Sequence, residues 1–126
     1  MEKLDLITLE YKDIFDNNKD KKIEFSKDLL PKKYNLNSLF VVRVDGESMQ
    51  PVINDRALVV ADLSQKEIIN DSIYLVYKEN KMWIKKALIL DGKTRFVSIN
   101  SDYSHLIYDL KDIHVVAKVL LTFRTF

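Results

Sequence analysis

From Leu39 to Phe123 the chain alternates short β-branched or aromatic runs with brief polar turns, a spacing that favours many short strands over packed helices. Leu39–Val44 is the first such run and Ala57–Ala61 the second, the latter near-continuously apolar and so buried on both faces. Ser72–Tyr77 is β-branched and aromatic. Lys78–Lys81 turns it into Met82–Leu90, and Asp91-Gly92 turns that into Thr94–Ile99. Asn100–His105 reads as loop, Leu106–Tyr108 as a short strand, and Ile113–Phe123 as the last strand. Alternation there places Ile113, Val115, Ala117, Val119, Leu121 and Phe123 on one face. The other face mixes His114, Lys118, Thr122 and Arg124 with Val116 and Leu120. The expected fold is mainly β, a strand-rich sandwich or partly open barrel with little helix.

Residues 1–38 read differently, as an N-terminal arm preceding a domain at 39–126. A short strand is expected at Leu6–Leu9, a turn or exposed loop at Asp16–Lys22, an extended piece at Ile23–Phe25 and a helical turn at Ser26–Leu30 closed by Pro31. Acidic and basic side chains balance over 1–33, so the arm is no basic tail seeking phosphate, and it has no room for a helix-turn-helix. A length of 126 residues suits one domain with a single core. The formal charge of +1 argues against a nucleic-acid surface. With no cysteine, disulfides, thiol catalysis and cysteine zinc sites are excluded. No apolar run is long enough to span a bilayer, and Met1–Asp5 is too charged to open a signal peptide. The expected location is the cytoplasm. Nothing calls for a cofactor or metal, since two isolated histidines are poor evidence for one.

The stretch with chemical content is Val41–Pro51: a strand, the turn signal Asp45-Gly46, then Ser48 on a backbone that Pro51 constrains. A serine just past a strand presents its hydroxyl, although serine is also an ordinary turn residue. A nucleophilic serine needs a base. His105 sits in a loop and His114 opens the last strand, and neither has a recognisable catalytic context. Lysine is the alternative. Met82–Leu90 is an apolar strand with Lys85 and Lys86 at its centre. Lys85 shares a face with Trp83, Ala87 and Ile89, and Lys86 shares one with Met82, Ile84 and Leu88. Both faces are apolar, so at least one lysine must snorkel, pair or lose its charge. Desolvation favours the neutral amine that a general base must be. Bringing a lysine from about 10.4 to about 7 costs the ammonium roughly 4–5 kcal/mol, which a buried strand can supply and a solvated surface cannot.

Gly46-Glu47-Ser48-Met49-Gln50-Pro51, followed by Ile84-Lys85-Lys86-Ala87, resembles the LexA-like family of self-cleaving serine peptidases. This family includes the C-terminal domains of LexA and phage repressors and the UmuD-like polymerase accessory proteins of the SOS response. Its pattern is Gly-x-Ser-Met-x-Pro, then a strand reading roughly Val-Lys-Arg-Leu. The separation here, 85 − 48 = 37 residues, is similar to the family's. Asn54–Asp62, Asn70–Tyr74 and Ile99–Tyr103 resemble its supporting turns, so that the likeness covers about residues 39–124.

The resemblance implies Ser48 as nucleophile, neutral Lys85 as base, and backbone N–H groups of Glu47 and Ser48 as the oxyanion hole. It further implies a homodimer formed in part through the last strand, where Val116, Leu120 and Phe126 are candidates. DNA would be bound only through an N-terminal helix-turn-helix domain lacking here, and a recombinase-type co-protease is an implied partner. There are departures. The family cuts its own chain at Ala-Gly or Cys-Gly upstream of the serine. Here both glycines follow aspartate, and the equivalent region, around Asp13–Asn18, reads Asp-Ile-Phe-Asp-Asn-Asn. Asn54 and Asn70 or Asp71 stand where the family often has Gly. Two further readings therefore stay open: a non-cutting dimerisation or regulatory module, and a UmuD-like subunit that binds a polymerase. Signal peptidases use a similar serine–lysine pair but need a membrane anchor.

Overall fold

A computed structural model describes residues 5–126; Met1–Leu4, most of the charged start read above as no signal peptide, lie outside the described residues. Two antiparallel sheets make up the fold, and the larger is not closed into a barrel. Among the described residues helix is limited to three-residue 3-10 turns. No helix among the described residues is long and apolar enough to cross a membrane. The mainly β expectation, with little helix, holds.

The first sheet is a hairpin of β1 (Leu6–Asp13) and β2 (Lys19–Ser26), paired from Leu6 opposite Ser26 to Asp13 opposite Lys19. Both strands are longer than the sequence suggested, and Lys19–Lys22, expected as loop, are strand. Cross-strand pairing explains the difference: Lys12 bonds Asp20 at 2.8 Å and Lys21 bonds Asp13 at 2.7 Å, neutralising charges that read as loop in isolation. Asn17 and Asn18 turn the tip in the left-handed region, at φ 52° and 56°. The Ser26 side chain then caps a 3-10 turn at Lys27–Leu29, as expected ahead of Pro31.

The second sheet has seven strands: β3 (Leu39–Arg43), β4 (Leu58–Asp62), β5 (Ile73–Lys78), β6 (Lys81–Leu90), β7 (Lys93–Val97), β8 (Tyr108–Asp109) and β9 (His114–Phe123). Their order across the sheet is β3-β4-β9-β5-β6-β7-β8. Two tight hairpins set the register of the β5–β7 meander. Glu79-Asn80 (φ 51° and 63°) and Asp91-Gly92 (φ 51° and 74°) both take left-handed conformations, as two-residue turns that match strand twist require. In the turn before β4, Arg56 (φ 68°) takes the left-handed conformation instead of Asn54, and before β5 it is Asp71 (φ 68°). Asn70 is occupied otherwise, its amide oxygen accepting the Ile89 N–H at 2.8 Å.

The last strand does not keep its six alternating apolar residues on one face. β9 lies inside the sheet between β4 and β5, and its register slips at Leu120 against β4 and at Val116 against β5. Each slip inserts one unpaired residue and moves the following side chains to the other face. Thus Val115 packs with Tyr74, Val76 and Phe96, Ala117 and Val119 with Ala61 and Leu75, and Leu121 and Phe123 with Val60 and Val41. Both edges of β9 are hydrogen-bonded. Val116 and Leu120 are half-buried against the core, while Phe126 is exposed with the Arg124 guanidinium 4.3 Å over its ring. The hairpin is tied to the large sheet by Ile7, Phe25 and Leu30, which pack on Leu39, Val41 and Val60, with Phe25 and Phe123 rings 5.6 Å apart.

Candidate active site

β3 ends at Arg43, but Val44 continues to pair, donating to the Ala57 carbonyl at 2.8 Å and accepting from Arg56 N–H at 2.8 Å. Residues 45–56 are thereby closed into a loop. Gly46 enters it at φ 131°, which side-chain-bearing residues rarely adopt, and its N–H donates to Asp55 Oδ1 at 2.9 Å. The chain then folds tightly: Gln50 N–H donates to Glu47 O, and Val52 and Ile53 N–H groups donate to Met49 O. Met49 and Ile53 are driven into the core beside Val44, Ala57 and Val59. With Met49 inward, its neighbour Ser48 is left half-buried at the wall of a cavity of about 500 Å3. Glu47, Trp83 and Ile84 line the same cavity, as do Lys12 and Ile14 from the hairpin. Among the described residues, neither the Glu47 nor the Ser48 N–H has a hydrogen-bond acceptor.

On β6 the two lysines part company. Lys86 reaches a carboxylate, with Nζ 3.4 Å from Asp71. Lys85 is fully buried and forms no ion pair among the described residues. Its neighbours are the Trp83 and Tyr108 rings, with centroids 5.5 and 5.4 Å from Nζ. Nζ donates to Ser98 Oγ at 2.6 Å and to the Leu106 carbonyl at 3.3 Å. Burial pushes the amine down to about 8, because removal from water penalises the ammonium and no anion restores it. Of the two lysines it is Lys86 that pairs, while Lys85 is buried with its amine lowered to about 8.

Ser48 and Lys85 come to the same end of β7 without touching through a hydrogen bond. Lys85 lies on the face of Trp83 and Phe96, whereas Met49 packs against Ile84 and Ile99 of the opposite face. The connection is the strand end Ser98–Asn100. Ser98 takes the amine, and two residues on, at most roughly 7 Å of backbone, Asn100 clamps the serine turn. Its N–H donates to Ser48 O at 2.9 Å and its side-chain amide to Glu47 O at 2.9 Å. His105 and His114 are exposed.

Asn100 figures in the sequence reading only as loop and within the supporting turn Ile99–Tyr103, and Ser98 only within the strand Thr94–Ile99, yet the sequence holds a signal for Ser98. The Asp91-Gly92 turn pairs Leu90 with Lys93 and Lys86 with Val97, so extending the register by one residue sets Lys85 opposite Ser98. The Leu106 carbonyl comes from a loop and left no comparable trace.

A family model described as "Peptidase S24-like" matches residues 4–120. An uncharacterised HTH-type transcriptional regulator of Haemophilus influenzae is 38% identical over 64 residues, covering 44% of this chain and 27% of that protein. The repressor protein CI of Enterobacteria phage phi80 is 33% identical over 75 residues, covering 59% of this chain and 32% of the repressor. The matched stretches thus span about a third or less of these curated relatives. With the family match running through nearly the whole chain, this chain belongs to the Peptidase S24-like family, in keeping with its LexA-like resemblance.

Proposed function

We propose that this domain is a serine–lysine peptidase that cuts its own chain, with Ser48 as nucleophile and Lys85 as general base. The observation that carries the reading is the setting of Lys85: a lysine buried without an anion has its amine lowered to about 8, so a neutral fraction able to accept a proton exists near physiological pH and grows above it. The Ser48 hydroxyl proton passes to Lys85 Nζ as Oγ bonds to the carbonyl carbon of the scissile peptide. The oxyanion is received by the free N–H groups of Glu47 and Ser48. Collapse breaks the C–N bond, and the Lys85 ammonium returns the proton to the departing amine. Water then hydrolyses the ester through the same base. Ser48 must approach the amine for the first transfer, a movement of the 45–56 loop.

The hairpin tip supplies the substrate segment in this reading. Lys12 and Ile14 line the cavity that Ser48 lines, and the Arg56 guanidinium sits 4.6 Å over the Phe15 ring, seating the tip beside the serine loop. The test is intact mass after incubation at alkaline pH, for the native chain beside Ser48→Ala and Lys85→Ala. Fragments in the native chain alone support the dyad, and cutting by either variant removes that residue from it.

One observation favours a second reading, a regulatory module that associates with its own copy but does not cut. The tip sequence Asp13–Asn18 contains no pair of small residues, and Ile14 and Phe15 are bulky for a narrow site. An unchanged mass for the native chain under every condition would select it.

A further inference from the structure

We infer that Ser98 is the positioning residue of the Lys85 amine, fixing the direction of its lone pair; this rests on the peptidase reading above. A neutral amine has two N–H donors and one lone pair, whereas an ammonium has three donors. Around Nζ there are two acceptors, Ser98 Oγ at 2.6 Å and Leu106 O at 3.3 Å. The rest of its surroundings are the Trp83 and Tyr108 rings and the side chains packed beneath them. Two donors matched by two acceptors leave the lone pair as the one free tetrahedral direction, which is the arrangement a general base requires. Without Ser98 the amine would keep a single anchor and rotate about its Cε–Nζ bond.

No neighbouring charge does this work instead. The ionisable side chains on this face of the sheet are Tyr74 and Lys78 of β5, Lys81 of β6, Tyr108 of β8 and Lys118 of β9, which pairs with Tyr74 on the side away from Lys85. The Tyr74 hydroxyl is already committed, donating to Glu67 O at 2.7 Å and accepting from Ile69 N–H at 2.8 Å. Lys78 lies 5.0 Å over the Tyr108 ring and Lys81 5.6 Å over the Trp83 ring, so both are engaged with the rings and not with the amine. His105, next to Leu106 in the chain, is exposed. Ser98 is the side-chain acceptor that Lys85 has.

The experiment follows the Lys85 side chain by NMR titration of the full chain carrying labelled lysine, with the resonance assigned by its loss in Lys85→Met. A hydroxyl that accepts from the amine bonds the ammonium more strongly than the neutral form, so Ser98→Ala should move the midpoint down by about one pH unit. Ser98→Thr, which keeps the hydroxyl, should stay close to the native value. Self-cutting on the alkaline plateau should fall by about tenfold in Ser98→Ala and recover in Ser98→Thr. An unmoved midpoint in Ser98→Ala overturns the proposal, as does a moved midpoint with an unchanged cutting plateau. If the native chain and Ser98→Thr do not cut at all while the midpoint moves, the hold on the amine stands and the peptidase reading is what fails.

Discussion

The Asn100 N–H bonds the Ser48 carbonyl at 2.9 Å, and the Asn100 side chain spans to the Glu47 carbonyl at the same distance. Two bonds from one residue thus tether to the end of β7 the turn whose hydroxyl and amide groups carry the proposed chemistry, so the approach of Ser48 to the amine must strain or break them. Because Ser98 lies two residues earlier and holds the Lys85 amine, the strand end of β7 acts as a single bracket for both halves of the site.

Asn100→Ala removes the side-chain half of that bracket and also the acceptor that caps the 3-10 turn at Asp102 N–H, 3.0 Å away. Stability should fall by about 1 kcal/mol, the usual worth of a hydrogen bond lost at the surface. Cutting should fall by more than that loss of folded protein explains. Denaturant melting beside single-turnover cutting at matched folded fraction checks both.

Burying Lys85 has a cost that depends on pH. Its folded value of about 8 lies below the ordinary lysine value, so between those limits the unfolded chain binds the extra proton and stability rises with pH. Below pH 8 the penalty is present in full, at about 3 kcal/mol, and it is relieved as pH climbs towards 10.5. Lys85→Met should therefore stabilise the chain at pH 6–7 by about 1–3 kcal/mol and flatten the alkaline rise. Urea midpoints at pH 7 and pH 9.5 measure the difference, and a destabilised Lys85→Met at pH 7 would contradict it.

The same titration sets the pH dependence of cutting. A base with a value of about 8 is mostly protonated at pH 6 and mostly neutral at pH 9. The rate should climb about tenfold per pH unit below the midpoint and level off above it. Time courses at constant ionic strength between pH 6 and pH 10 show whether it does.

Small residues at the hairpin tip should open the site to its own chain. Replacing Phe15 and Asp16 together by Ala and Gly removes the ring under Arg56 and supplies a bond able to enter a narrow pocket. Self-cutting should then be faster than in the native chain by at least tenfold, with fragment masses locating the cut between positions 15 and 16. A doubly substituted chain that stays intact at pH 9 would show that the tip does not reach Ser48.

Asp13 ties that tip down. Its carboxylate, almost fully buried, accepts from Lys21 Nζ at 2.7 Å and from Phe15 N–H at 3.0 Å, with Arg43 Nε 3.9 Å away. The Lys21 bond is the main reason its carboxyl stays below the ordinary range, aided by the Phe15 amide and the Arg43 charge against the opposing effect of burial. A lowered carboxyl contributes stability above its unfolded value, and that contribution is lost as pH falls through the folded one. Below about pH 4 the protection of the hairpin amides relative to their intrinsic exchange rates should therefore fall, and Asp13→Asn should show the same loss of protection at pH 7. Hydrogen exchange over residues 6–26 reads this directly.

Local chemistry was legible where it was strong. The strands from Leu39 onward follow from β-branched runs, and the two hairpins of the meander from Glu79-Asn80 and Asp91-Gly92 or their neighbours. The apolar setting of Lys85 follows from the residues that flank it along β6. The resemblance of Gly46–Pro51 and Ile84–Ala87 to a known family supplied the pairing of Ser48 with Lys85, which spacing alone does not.

What depended on distant contacts was not legible. The hairpin strands are long because Asp13, Lys21, Lys12 and Asp20 neutralise one another across the ladder, and those charges read as loop when taken singly. The face switches at Val116 and Leu120 arise because β9 must pair with β4 and β5 at once, in registers that no local pattern encodes. Which of Lys85 and Lys86 would find a carboxylate was likewise decided by packing. Asp71 lies within reach of Lys86, while among the described residues Lys85 has the Ser98 hydroxyl and the Leu106 carbonyl and no anion, so desolvation acts on it unopposed.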